Sequence, residues 1–286
     1  MTRLRLGAPL FGKTDTPEAW LKELRRKGYE AAYVPLKPGA SHSLVAEYRQ
    51  AAEENGIVIA ENGAWLYNPM SPDPEEARVS VEKTAELLSF ADEIGARCCV
   101  NVSGSRGKLW DGPDPENMTD ETFAMVVASV KEILRLAQPK TAKYALEMMP
   151  WMYPTGLDDM KRLVDAVDDT RFGIHYDPCN TVFTLERYYG NGAMMDEFVR
   201  TFGPAIVSFH VKDLELLSHM TFQIHERCPG DGALEHARLM KAAAECCPDA
   251  PLMLEHMSKE EDFDRGAAHL RRVAAELGLE VARPQA

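Results

Sequence analysis

Four short β-rich stretches in the second half of the chain end in side chains able to bind a metal or move a proton. YALEMMP ends on Glu147, GIHYDPCN on Asp177, IVSFHVKD on His210 and PLMLEH on Glu255. Side chains in a strand alternate faces. Ala145 therefore shares a face with Glu147, His175 with Asp177, Ser208 with His210, and Met253 with Glu255. If each last polar residue points into one mouth, three carboxylates and one imidazole converge. That hard, oxygen-rich set suits one divalent metal, Mn²⁺ or Mg²⁺ first, with Co²⁺ or Zn²⁺ as alternatives. Without a cation the three carboxylates would repel one another.

Other residues could complete such a site. Lys212 lies two positions past His210 and can share its inward face, or it pairs with Asp213 or another rim acid. Trp65 in ENGAW, with Trp151 and Tyr153 after Glu147, can wall a sugar or simply pack. His175 is either a partner of Asp177 or a satisfied core histidine. The small, basic loop from Ser103 to Lys108 could hold a phosphate or carboxylate, but lacks the GKS/GKT ending of a nucleotide-binding loop. His256 should face away from Glu255, and His225 has no assigned role.

The elements that must hold these residues alternate along the chain. Strand-like stretches fall at 4–9, 31–35, 57–61, 98–102, 144–148, 172–176, 206–211 and 252–255. Between them run segments with the 3.6-residue apolar spacing of helices, such as Val81, Ala85, Leu88, Ala91 and Ile94. Helix starts are marked at Thr16-Pro17-Glu18, Ser71-Pro72-Asp73-Pro74-Glu75 and Thr119-Asp120-Glu121, and stops at Gly28, Gly56 and Gly95. Eight βα units in 286 residues average about 36 residues each. They predict a single (β/α)8 TIM barrel over residues 1–286, with a parallel sheet. The open doubly wound alternative lacks a GxGxxG after its first strand. In a barrel, the ends of the strands form the active site.

Composition narrows the partners. With 32 basic and 45 acidic side chains the formal net charge is −13, which disfavours nucleic acid and anionic membrane surfaces. No apolar run approaches the ~20 residues that span a bilayer. No secretory signal is evident at the N-terminus, and the six cysteines form no CxxC pattern. A cytoplasmic protein with reduced, packed thiols is expected.

The motifs LEMMPW, HYDPCN, FHVKD, RCPGDG and LEH resemble those of the xylose isomerase-like TIM barrels of the sugar phosphate isomerase/epimerase superfamily. The resemblance spans essentially the whole chain. It is similar to ketose 3-epimerases, inosose dehydratases, hydroxypyruvate isomerases and, more distantly, endonuclease IV. It implies that Glu147, Asp177, His210 and Glu255 hold the metal and that Glu147 and Glu255 are the catalytic acid/base pair. Arg227, in RCPGDG, matches an arginine that reaches the metal–substrate site. Asn180 departs from the ketose epimerase pattern, where a histidine is usual three residues after the ligand Asp. Substrate contacts are therefore expected from Lys212, Arg227, Asn180 and Trp65. The implied activity is a metal-dependent isomerase or epimerase working on a keto-sugar through an enediolate. The alternative is a dehydratase or lyase on a keto-inositol or keto-sugar. A sugar or polyol is the expected partner, and a homo-dimer or homo-tetramer the expected assembly. A nuclease would need further metal ligands and a basic groove, and a non-catalytic sugar sensor would bind no metal.

Overall fold

A computed structural model describes residues 3–281 and residue 284. Its central sheet is parallel. In chain order the strands are Leu6–Gly7, Ala31–Ala32, the pair Val58–Ile59 and Glu61–Gly63, Cys98–Asn101, Lys143–Glu147, Phe172–Tyr176, Ile206–Val211 and Leu252–Leu254. The last pairs with the first, Leu252 opposite Leu6, as well as with Ile206–Val211. The two pieces of the third strand end the nine-membered order and are joined through Ala60, whose N–H donates to the Ala32 carbonyl at 2.9 Å. Nine pieces thus occupy eight positions of a ring, the expected TIM barrel.

Eight longer helices surround the ring: Pro17–Lys27, His42–Glu54, Pro74–Ile94, Asp120–Ala137, Leu157–Val167, Asn191–Phe202, His236–Cys246 and Glu260–Glu276. The expected caps are present. Thr16, Asp73 and Thr119 accept backbone N–H groups at their helix starts. Gly28 and Gly95 end theirs in the left-handed region at φ 68° and 75°. Each helix lays an apolar stripe on the outside of the barrel, and the largest buried cluster lies in this layer. Inside the ring, the packing is made of small groups. Ala31, Ala60 and Met253 pack together, as do Cys98, Val100, Ala145 and Val207. Gly7 is required there, because a Cβ would lie 2.3 Å from the Ala31 carbonyl oxygen.

Three features lie beyond the alternating pattern. Glu280–Val281 pairs with Arg3–Leu4. Two short helices, Pro178–Thr181 and Leu185–Tyr189, follow the sixth strand. An antiparallel hairpin, Asp213–Leu217 with Gln223–Arg227, follows the seventh. The hairpin lacks the Asn-Gly or Asp-Gly turn that would mark it in sequence. All six cysteines are free, and all but the half-buried Cys246 are buried. Among the described residues no helix is long and apolar enough to cross a membrane.

The fifth strand is set in place by Asp92, near the end of Pro74–Ile94. Its carboxylate accepts N–H groups from Lys140, Thr141 and Ala142 at 3.1, 2.7 and 2.8 Å, and the Thr141 hydroxyl at 2.9 Å. Burial alone would raise this carboxyl, but the three backbone donors outweigh it and hold it below its usual value. A lowered carboxyl stabilises the fold above its unfolded pKa of about 3.9, and the contribution is lost as pH falls through the folded value. Asp92→Ala should cost about 1–3 kcal/mol at neutral pH. In urea melts the gap between the two proteins should close as the solution is acidified below pH ~4. A gap unchanged by acid would show that the charge is not what matters.

Candidate active site

The carboxyl-terminal ends of strands five to eight meet at the barrel mouth. Glu147 is the last residue of its strand, and Asp177 directly follows the sixth. Asp177 caps the short helix Pro178–Thr181: its Oδ1 accepts the Cys179 N–H at 2.9 Å, and Pro178 follows as the first helical residue. That leaves Oδ2 turned toward the centre. Lys143–Glu147 pairs with Phe172–Tyr176 so that Glu147 lies opposite His175, and His210 lies opposite Met253 across the next pairs. Atoms of Glu147, Asp177, His210 and Glu255 lie within 4.8 Å of one another, a set able to hold a metal ion. Asp177 is fully buried, and Glu147 and His210 nearly so.

His210 decides whether these residues fit a cation. Its Nε2 faces Glu61 Oε1 at 2.9 Å. Its Nδ1 is buried without a hydrogen-bond partner, 3.1 Å from Glu255 Oε2 and 3.5 Å from Glu147 Oε1. When Nε2 donates its proton to Glu61, Nδ1 presents a lone pair to two carboxylate oxygens. A divalent cation between them turns this repulsion into coordination. The residues present therefore fit the metal. In its absence, burial would lower the imidazole, but the charges of Glu61, Glu147 and Glu255 outweigh burial and raise it well above its ordinary value. Burial pushes the Asp177 carboxyl up to about 6, against the opposing charge of Lys212.

Below this set lies a second layer. Glu61 is buried and accepts from the Ser208 hydroxyl at 2.7 Å, and its carboxylate also meets His175 Nε2 at 3.0 Å. Burial would raise the Glu61 carboxyl, but His210 and His175 hold it well below its ordinary value. Glu61 is not among the strand ends expected to do chemistry, although it closes the expected stretch 57–61. His175 turns out to partner Glu61 rather than Asp177.

Lys212 points inward and is 1% exposed, with Nζ 2.5 Å from Asp177 Oδ2, 3.0 Å from Glu255 Oε2 and 3.1 Å from Glu226 Oε1. Asp213 is not its partner. The Asp213 carboxylate instead accepts the N–H groups of Leu214, Gly230, Gly232 and Leu234, folding the PGDG loop around itself. Asn180 donates to Glu147 Oε1 at 2.8 Å. Trp65 lies over Gly63, where a Cβ would meet its indole nitrogen at 2.1 Å, and its ring is 6.5 Å from that of His210.

Arg227 is tied to Glu215 at 2.8 Å on the facing hairpin strand, and borders a smaller neighbouring pocket together with Lys212, Glu226, Glu255 and His256. The hairpin alternates, so its neighbour Glu226 faces the mouth instead. His256 faces the site rather than away from it, because the strand ends at Leu254 and His256 takes φ 58°, which breaks the alternation. Its Nδ1 is 2.9 Å from Glu226 Oε2. In the loop 103–108 three of the backbone N–H groups an anion could use are already engaged. The N–H groups of Ser105, Arg106 and Gly107 are taken by Asn68, Asn117 and Ser105. Above the cluster opens a cavity of about 790 Å³, with Glu147, Asn180, Glu226, Glu255 and His256 among its lining residues.

Residues 19–273 match the family model described as the xylose isomerase-like TIM barrel. The chain belongs to this family. No protein among the curated sequences matches it. Solved xylose isomerase-like barrels share the architecture. Endonuclease IV from Thermus thermophilus superimposes with a TM-score of 0.72 at 17% identity, over 95% of this chain and 99% of that one. D-psicose 3-epimerase from Clostridium cellulolyticum, solved with D-tagatose, gives 0.65 at 17% identity, over 92% and 94%. A xylose isomerase-like TIM barrel protein from Mycobacterium smegmatis, solved in complex with magnesium, gives 0.65 at 16% identity, over 96% and 97%. At these identities the likeness is one of fold.

Glu61→Gln keeps the shape but removes the charge that orients His210 Nδ1 toward the cluster. Loss of such an outer partner should weaken Mn²⁺ binding about 10–100-fold, measured by calorimetric titration. Unchanged affinity in the folded variant would remove Glu61 from the metal centre.

Proposed function

We propose that the protein is a divalent-metal-dependent isomerase or epimerase acting on a keto-sugar through an enediolate. The observation that carries this reading is the placement of Glu147 and Glu255. They come from the ends of strands five and eight, with carboxylate oxygens 3.5 and 3.1 Å from His210 Nδ1, and both line the cavity. Glu147, Asp177, His210 and Glu255 would hold the metal, with Mn²⁺ or Mg²⁺ favoured by the donor set. When bound, the cation supplies Lewis acidity at the keto oxygen of the substrate.

The remaining chemistry belongs to side chains. A Glu147 carboxylate oxygen takes the proton from the carbon next to the carbonyl, with Asn180 holding the other oxygen in place. A Glu255 carboxyl returns a proton. Delivery to the opposite face of the same carbon gives the epimer; delivery at the former carbonyl carbon, with the hydroxyl proton passing to the old carbonyl oxygen, gives the isomer. The reverse direction exchanges the two roles. Lys212 favours the ionised form of Asp177 through its contact with Oδ2. Trp65 lines the cavity on the side of the third strand.

A dehydratase or lyase is the second reading, and His256 is the observation that favours it. Its hydrogen bond to Glu226 raises the imidazole above its ordinary value, and it borders the cavity beside Glu255. A protonated imidazole there can give its proton to a departing hydroxyl. Mass spectrometry separates the two, since a dehydrated product is lighter by one water and an epimer is isobaric.

The test is deuterium uptake from D₂O into a panel of ketoses, keto-inositols and their phosphates. Uptake should require Mn²⁺ or Mg²⁺ and stop with a chelator. Glu147→Gln and Glu255→Gln should each slow it by roughly 10²–10⁴-fold while leaving the circular dichroism spectrum unchanged. Full uptake in either variant would rule out its acid/base role.

A further inference from the structure

The cavity above the cluster is walled by one aromatic side chain from each of five successive loops. Trp65 follows the third strand, Trp110 the fourth, Trp151 the fifth and Phe183 the sixth, and Phe222 stands on the hairpin after the seventh. Val102, Met149, Leu214 and Ile224 also line it. Glu147 and Glu255 lie at the buried end, while Glu226 and His256 are about half-exposed beside them. Asn180 is bonded to Glu147, Lys212 links Glu255 to Glu226, and Glu226 meets His256. Asp111 is the carboxylate among the lining residues outside this network. Even the Trp151 indole N–H is already spent, on the Asp111 carbonyl at 2.7 Å.

A cavity of this size holds more than an unsubstituted ketose. Such a sugar would occupy the end with the carboxylates and leave the aromatic side chains beyond it uncovered. The volume, about 790 Å³, is in the range of sites that enclose drug-sized ligands, roughly 300–1,000 Å³. Trp151 and Phe222 are 40% and 47% exposed at the mouth, large apolar groups left in water where a ligand could cover them.

We infer that the natural substrate is a sugar or polyol carrying an aromatic substituent, with the sugar at the carboxylate end and the ring among the aromatic side chains. This deepens the proposed function and rests on its reading of the carboxylate end as the one that binds the sugar. Trp110 and Phe222, from the loops after the fourth and seventh strands, both line the cavity and suit contact with an aryl ring, while the carboxylates remain available to the sugar oxygens.

Matched methyl and phenyl β-glycosides of glucose, galactose and xylose test this by calorimetric titration of the full-length, Mn²⁺-loaded protein. For at least one sugar the phenyl compound should bind about tenfold or more tightly than its methyl partner. Trp110→Ala and Phe222→Ala should each remove most of that advantage and leave methyl glycoside binding within about twofold. Phe222 is half-exposed on a hairpin, so its loss should not unfold the barrel. Absence of a phenyl preference for all three sugars, or a preference that survives both substitutions, overturns the inference. The deuterium experiment keeps the two readings apart. Metal-dependent uptake by free ketoses with no phenyl preference sinks this inference alone. A phenyl preference abolished by the wall substitutions supports the aryl site whether or not the free ketoses take up deuterium, since the glycosides carry no carbonyl and test binding alone.

Discussion

Mutual repulsion among buried carboxylates governs the mouth of this barrel. Glu61, Glu147 and Asp177 are almost wholly out of water, and Glu255 is about one-fifth exposed. Unpaired charges in such a place are expensive. Lys212 answers part of the demand by reaching Asp177, Glu255 and Glu226 together. The imidazoles of His175 and His210 answer another part by spanning Glu61. What remains is negative charge around His210 Nδ1. The four side chains that meet there form a set able to hold a metal ion.

The rest of the molecule serves to keep these groups close. Ring closure between the first and last strands sets Glu255 beside His210 rather than at a free sheet edge. Small residues at Gly7, Ala31, Ala60 and Ala145 let the strands approach, so the interior is filled below and polar only near the top. The apolar layer under the eight helices supplies most of the burial and thus the stability that such a charged mouth draws upon. Asp92 and Asp213 add local control. Each spends one carboxylate on several backbone N–H groups, fixing the approach to the fifth strand and the loop after the hairpin.

Much of this was legible in the sequence because strand alternation is a local property. Ala145–Glu147, Ser208–His210 and Met253–Glu255 needed only a period of two to be assigned a common face, and the caps at Thr16, Asp73 and Thr119 needed only their neighbours. Lys212 was readable as inward or as paired with a rim acid. It is both, because the acids it pairs with, Asp177 and Glu255, are themselves inside. The hairpin was hidden since its turn, SHMTF, carries no strong turn dipeptide. Arg227 and Glu226 could not be told apart in role without knowing which hairpin face turns to the barrel.

The sequence by itself determined the eight-unit barrel and the four strand ends that converge, since periodicity, caps and the order of βα units are encoded within a few residues of each element. Only the tertiary structure decided what those strand ends meet. Glu61 reaches His210 across 149 positions of sequence separation. His256 turns inward at a positive φ just after its strand stops. Asn180 takes hold of Glu147 from the next loop, and five loops bring their aromatic rings to one cavity. These are contacts between segments far apart in the chain. Their geometry depends on ring closure and on how each loop leaves its strand, which no local spacing specifies.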